Sequence, residues 1–274
     1  MLFNLEIAEF TRSIQSANGL RHGDYHRYRR YCTRKIHRIR SDLKLLNGRN
    51  RFKKATIPDK INSSRFIELL VVYVERAWAH GITLKSEHAV SDRAGKSRLR
   101  HAFIKKFRRA AYWADQLVEL TRLHCDQRTV QESEAYAAWI SGLSLTESGV
   151  YEKAIQTLEV AEHKYNDLIK TSLDSVFPNA SRGYKHRIAD LEPILRVCKY
   201  KLRLGALAAT TTTAPAEEME EEEYESANEM GDFSSDGEYV DSDVDMSPTY
   251  SKRVTAGETG GLLGKIGGWW NRSN

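Results

Sequence analysis

From residue 4 to about residue 205, apolar side chains recur every three or four positions and the two-residue alternation of a half-buried strand is scarce. Only five prolines occur in 274 residues, so little in the chain interrupts such a pattern. The spacing predicts helices near residues 4–17, 24–46, 63–88, 93–124, 128–147, 150–172 and 182–204. Asn18-Gly19 ends the first of them, and NGRNRFKKATIP (Asn47 to Pro58) forms a basic loop after the second. The third contains FIELLVVYVERAW (Phe66 to Trp78), apolar around most of its circumference, which marks a helix packed on several sides.

A more specific signal lies in SGLSLTESGVYEKAIQTLEVAEHKY. Gly142, Gly149, Tyr151, Ala154, Leu158 and Ala161 fall at the offsets of a tetratricopeptide (TPR) helix-turn-helix unit. Gly142 and Ala154 allow two antiparallel helices to approach closely, while Tyr151 and Leu158 fill the space between them. Only this unit matches well, so the expected fold is all-α: a TPR-like array of antiparallel helical hairpins over residues 1–205.

After Leu204 the character changes. Residues 216 to 250 hold 14 acidic side chains and no basic ones. Such a segment buries too little apolar surface to offset its ordering entropy, so residues 206–256 are expected to be a disordered acidic linker. Ser234, Ser235, Ser242 and Ser247 within it are candidate phosphorylation sites. Residues 257–274 regain Leu262, Leu263, Ile266, Trp269 and Trp270, and read as the start of another packed element or a small anchor.

The opposite charge is concentrated at the other end. DYHRYRRYCTRKIHRIR (Asp24 to Arg40) carries six arginines and one lysine in seventeen residues. Tyr25, Tyr28, Cys32, Ile36, Ile39, Leu43 and Leu46 recur at helical spacing and form one apolar stripe. Arg27, Arg30, Arg34, His37 and Arg38 recur at the same period on another face. Asp24 is placed to cap the helix. A merely solvated helix face mixes signs so that neighbours pair. Residues 21 to 54 hold 13 Lys or Arg against 2 acids, a self-repulsion that a polyanion would relieve. A second basic face follows Arg98, His101, Lys105, Arg108 and Arg109, backed by Leu99, Phe103, Phe107, Ala110 and Ala114. A membrane surface fits less well, because the apolar stripe is committed to a core. Among nucleic acids RNA fits best, with the limit that an undisturbed A-form major groove does not admit side chains. An arginine-rich helix would therefore select a bulge, loop or junction.

Enzyme motifs fail on inspection. AGKS (Ala94 to Ser97) echoes a phosphate-binding loop, but Val90 stands where its first glycine belongs. DSDVD (Asp241 to Asp245) opens like a calcium loop, yet Met246 and Lys252 occupy the glycine and glutamate positions. Nine histidines show no ligand spacing, so neither a metal nor a cofactor is expected. Cys32, Cys125 and Cys198 are too scattered for a disulfide framework, and a reducing compartment is the simpler expectation. MLFNLEIAEF is broken by Glu6 and Glu9 before it becomes a signal peptide, and no apolar run reaches membrane-span length.

Together GLRHGDYHRYRRYCTRKIHRIR, the loop GRNRFKK, VERAW and EAYAAWISGLSLTESGVYEKAIQTL closely resemble the N-terminal RNA-binding domain of the 68 kDa subunit of the signal recognition particle. The resemblance spans roughly residues 10 to 205. It implies a TPR-like helical domain that binds the particle's RNA at the S-domain junction and serves co-translational targeting to the endoplasmic reticulum. It also implies an arginine-rich helix that enters a widened groove and helps bend or open the RNA. The residues it assigns to that contact are Arg21, Arg27, Arg29, Arg30, Arg34, Lys35, Arg38 and Arg40, with Arg49, Arg51, Lys53 and Lys54 in the loop. Arg98, Lys105, Arg108 and Arg109 are carried as the alternative groove-entering helix. The implied partners are the particle's RNA and its other proteins, in the cytoplasm and in the nucleolus during assembly. The family's C-terminal part holds the 72 kDa partner subunit, and the present sequence stops at GGWWNRSN, which leaves that partner unassigned. The acidic insertion departs from the family's general pattern. The competing reading is a TPR-type scaffold that grips a protein segment in its concave face.

Overall fold

The computed structural model describes residues 2–45, 57–58, 60–91, 93–171 and 178–211. Among them run the helices α1 (Ile7–Ala17), α2 (Tyr25–Asp42), α3 (Arg65–Val90), α4 (Arg93–His124), α5 (Gln127–Ser148), α6 (Tyr151–Thr171) and α7 (Pro178–Thr211). From α2 onward each helix packs on the next, which gives the expected array of antiparallel hairpins. Residues 206–211, expected to begin the disordered linker, instead form the end of α7; the rest of the linker from residue 212, the C-terminal segment and Leu46 of the apolar stripe lie outside the described residues.

Three helices, α1, α2 and α7, depart from the periodicity by more than two residues at an end, each for a visible reason. α1 begins at Ile7 rather than residue 4 because the preceding residues pair across the α4–α5 turn. The Phe3 N–H donates to the His124 carbonyl at 2.9 Å, and the Asp126 N–H donates to the Phe3 carbonyl at 3.1 Å. α2 stops at Asp42, where Lys44 turns left-handed at φ 57° and the Leu45 N–H reaches back to the Arg40 carbonyl at 2.8 Å. α7 is longer than residues 182–204: Pro178 suits a first helical position, and the alanines after Gly205 extend the last turns without any apolar period to reveal them.

The α5–α6 hairpin carries the TPR-like contact. A Cβ on Gly142 would lie 2.5 Å from Leu158 Cδ2, so only glycine permits this approach. Ala154, Leu158 and Ala161 are fully buried beside it. Gly149 adopts φ 86° and closes α5, sending the chain back into α6.

The helices α3, α5 and α7 share a face, and α1 lies across all three. Its attachments are polar as well as apolar. The Ala8 N–H donates to Glu132 Oε2 at 3.3 Å, Arg187 donates to Thr11 Oγ1 at 2.8 Å, and Gln15 donates to Glu75 Oε2 at 2.8 Å. Arg187, itself buried, stacks its guanidinium over Trp139 at 4.4 Å from the ring centroid. Glu132 also accepts from the Tyr184 hydroxyl and lies 3.6 Å from the Arg128 guanidinium. Burial outweighs those favourable partners and pushes the Glu132 carboxyl up to about 7.

Replacing Gly142 by Val is expected to cost about 1–3 kcal/mol by overpacking against Leu158, read as a lower denaturation midpoint. The raised Glu132 carboxyl sets a second expectation. Between the ordinary carboxylate range and about pH 7 the folded chain holds a proton there that the unfolded chain releases. Its stabilisation is therefore present in acid and lost as pH rises through about 7. Thermal denaturation followed from pH 5 to 8 should show this loss, up to about 3 kcal/mol at 1.36 kcal/mol per unit, in the natural chain. Glu132→Gln should flatten it.

Candidate nucleic-acid interface

The basic helix is held by its ends and its back. Gly19 and Gly23, at φ 108° and 69°, shape the turn before it. Asp24 then caps α2 by accepting the Arg27 N–H at 2.8 Å, as the sequence predicts. Tyr28, Cys32, Ile36 and Ile39 are buried against α3, while Tyr25 meets Trp78 edge-on at 5.7 Å between ring centroids. Burial raises the Cys32 thiol and the Tyr28 hydroxyl well above their ordinary ranges, so both stay protonated.

The Tyr28 hydroxyl donates to Glu75 Oε2 at 2.7 Å. Glu75 is fully buried in α3 and also accepts from Tyr136 of α5 at 2.7 Å, in addition to Gln15 of α1. One carboxylate thus ties α1, α2 and α5 to α3. Its signal in the sequence was an acid within VERAW, in an apolar stretch that also holds Glu68, and a reading of hydrophobic period alone does not tell the buried acid from the other.

On the outward face Arg27, Arg30, Arg34, His37 and Arg38 are all exposed, and Arg21 is exposed on the short 3-10 turn before the helix. Successive arginines at positions 27, 30, 34 and 38 stand three or four residues apart, so they follow one line along α2. No ion pair joins Arg27, Arg30, Arg34 or Arg38 to a carboxylate among the described residues. Nearby Asp42 instead pairs with Arg65 at 2.5 Å.

Three of the predicted contacts are partly turned to the fold. Arg40 donates to the Tyr73 hydroxyl at 2.7 Å and the Leu45 carbonyl at 2.8 Å, which fixes the C-terminal end of α2 on α3. The Lys35 ammonium sits 4.7 Å over the Phe10 ring of α1. Arg29 is half-buried. Arg49, Arg51, Lys53 and Lys54 lie outside the described residues.

On α4, Arg98, His101, Lys105 and Arg108 are exposed and Arg109 is half-buried, behind which Phe103, Phe107, Ala110 and Ala114 are buried. Phe107 packs on Gly81, and Phe103 meets His88 at 5.5 Å between ring centroids. The second basic face therefore stands opposite the last turns of α3, whereas α2 spans from Trp78 back to Arg65. Two basic faces share one supporting helix but occupy different lengths of it. Arg100 and Lys44, which the sequence reading did not single out, are exposed as well.

A helical array that braces a line of exposed arginines on buried tyrosine and isoleucine belongs to the class of all-α proteins with an exposed basic ridge. Comparison with known proteins gives the family. A family model described as "RNA-binding signal recognition particle 68" matches residues 20–244. The signal recognition particle subunit SRP68 of Drosophila melanogaster is 34% identical over 212 residues, covering 75% of this chain and 34% of that protein. The subunit of the same name from Dictyostelium discoideum is 31% identical over 208 residues, covering 73% and 33%. The chain belongs to the SRP68 family, and it spans about a third of the length of these relatives. The fold is also that of the SRP68-RBD from Chaetomium thermophilum, with a TM-score of 0.57 at 20% identity over 73% of this chain and 100% of that one.

Substituting Ala for Glu75 leaves the two buried hydroxyls of Tyr28 and Tyr136, and the half-buried Gln15 amide, without their acceptor. At about 1–3 kcal/mol for each unsatisfied group, a loss of about 3 kcal/mol or more is expected, with faster amide exchange concentrated in residues 28–39.

Proposed function

We propose that this chain is a non-catalytic subunit that binds the RNA of the signal recognition particle, with the α2 ridge as its principal contact. The observation that supports this most directly is the line of Arg27, Arg30, Arg34 and Arg38, exposed, of one sign and rigidly backed. Guanidinium groups so placed suit bidentate contact with phosphates and stacking on unpaired bases. The target is the S-domain junction, where a widened groove admits the helix. Arg98, Lys105, Arg108 and Arg109 then meet flanking phosphates, and the loop at 49–54 adds charge. Lys35 and Arg40 act mainly by holding α2 in place. The other proteins of the particle are its further partners, its setting is the cytosol with a nucleolar stage during assembly, and the 72 kDa subunit is not assigned to this segment.

The scaffold reading is weaker. The face of α3, α5 and α7 on which a peptide would lie is crossed by α1.

The test is RNA binding against salt. A chain that contacts roughly 6–10 phosphates should lose about 10³- to 10⁵-fold in affinity between 50 and 200 mM salt. Changing Arg30, Arg34 and Arg38 together to Glu should abolish binding while circular dichroism stays helical. A flat salt response, or binding retained by that variant, would overturn the proposal.

A further inference from the structure

Among the described residues, nothing covers one side of α7. Leu191, Leu195 and Cys198 of α7 are buried, and α7 packs on α6 and α1. On the opposite side Pro193, Val197, Tyr200 and Leu204 are exposed, with Val197 at 52%, Tyr200 at 60% and Leu204 at 42% of full accessibility. Their spacing of four, three and four residues is that of a coiled-coil seam, and at 1.5 Å per residue the stripe runs about 16 Å along the helix. Scattered exposed apolar residues need no explanation, but a seam in register on consecutive turns does.

The residues beside the seam identify what fits it. In heptad terms Val197 and Leu204 take position a and Tyr200 position d. Arg196 and Arg203 then fall at g, and Lys201 falls at e. All three are exposed. Arg196 pairs with Glu192 one turn earlier, on the surface, at 2.8 Å. Lys199 is not one of the flanking positions: it turns to Glu159 of α6 at 2.8 Å, on the side away from the seam. Every charged residue that flanks the seam between positions 196 and 203 is therefore basic, while the remaining e position, beside Pro193, is the half-buried Ile194.

We infer that this face of α7 is a docking surface for an amphipathic helix of another protein, one with an apolar a/d seam and acidic e and g positions. A second copy of this chain is the wrong occupant, because parallel or antiparallel pairing sets Arg196, Lys201 and Arg203 against their own kind. The surface is separate from the arginine ridge of α2, and its use does not depend on RNA binding.

The experiment uses the full chain and two fluorescein-labelled synthetic peptides of three heptads. Both have leucine at a and d; one has glutamate at every e and g, the other lysine. Like charges at those positions discourage either peptide from pairing with itself. Fluorescence anisotropy should show the glutamate peptide binding and the lysine peptide binding at least about tenfold more weakly. The triple variant Val197→Ser, Tyr200→Ser, Leu204→Ser should lose about tenfold or more in affinity for the glutamate peptide. Those side chains are exposed, so circular dichroism should not change. A second variant, Arg196→Glu, Lys201→Glu, Arg203→Glu, should reverse the preference toward the lysine peptide. Failure of the natural chain to bind the glutamate peptide, equal binding by the serine variant, or no reversal on charge exchange would each overturn the inference. So would concentration-dependent dimerisation in sedimentation velocity that the serine variant abolishes, since the face would then join copies of the chain.

Discussion

A single buried carboxylate organises the N-terminal half of this protein. Glu75 accepts hydrogen bonds from Gln15, Tyr28 and Tyr136, and so joins three helices to the one that carries it. An unpaired carboxylate in such a place would be prohibitively costly, and three well-placed donors remove most of that cost. The arrangement is also directional. Apolar packing alone tolerates small rotations of α2 about its axis, whereas the Tyr28 hydroxyl reaches Glu75 in only one of them. The outward arginines inherit that orientation, because they sit on the same rigid helix. Chemistry at the surface is thus aimed by chemistry in the core.

A related logic fixes α1. In a plain hairpin array the face of α3, α5 and α7 would be an open trough. Here a helix of eleven residues lies along it, held through Ala8, Thr11 and Gln15 by side chains from α5, α7 and α3. The array is thereby cross-braced over helices that are distant in sequence. The surface left for partners shifts to the outer sides and to the exposed end of α7.

Much of this was legible from periodicity. The order of the helices, the stripe through Tyr28, Cys32, Ile36 and Ile39, the Asp24 cap and the close approach at Gly142 follow from residue spacing and size, which are local properties. Local pattern says nothing about which distant groups meet. The seat of α1, the burial of Glu75, Glu132 and Arg187, and the diversion of Lys35 and Arg40 into the fold all depend on contacts between remote segments. A charged residue looks the same in sequence whether it faces water, a phosphate or a buried hydroxyl. For that reason the candidate interface was recognised as a cluster, but its individual members sort into exposed ridge and structural brace only in three dimensions.

The bond from Arg187 to Thr11 joins residues 176 positions apart. When the chain is made from its N-terminus, α1 leaves the ribosome long before α7 exists to receive it. The seat of α1 is therefore complete only once α7 has been made, and until that moment its apolar side, with Ile7 and Ile14, has no complete home. Maturation of this domain is a closing act at its beginning, timed by the arrival of its end.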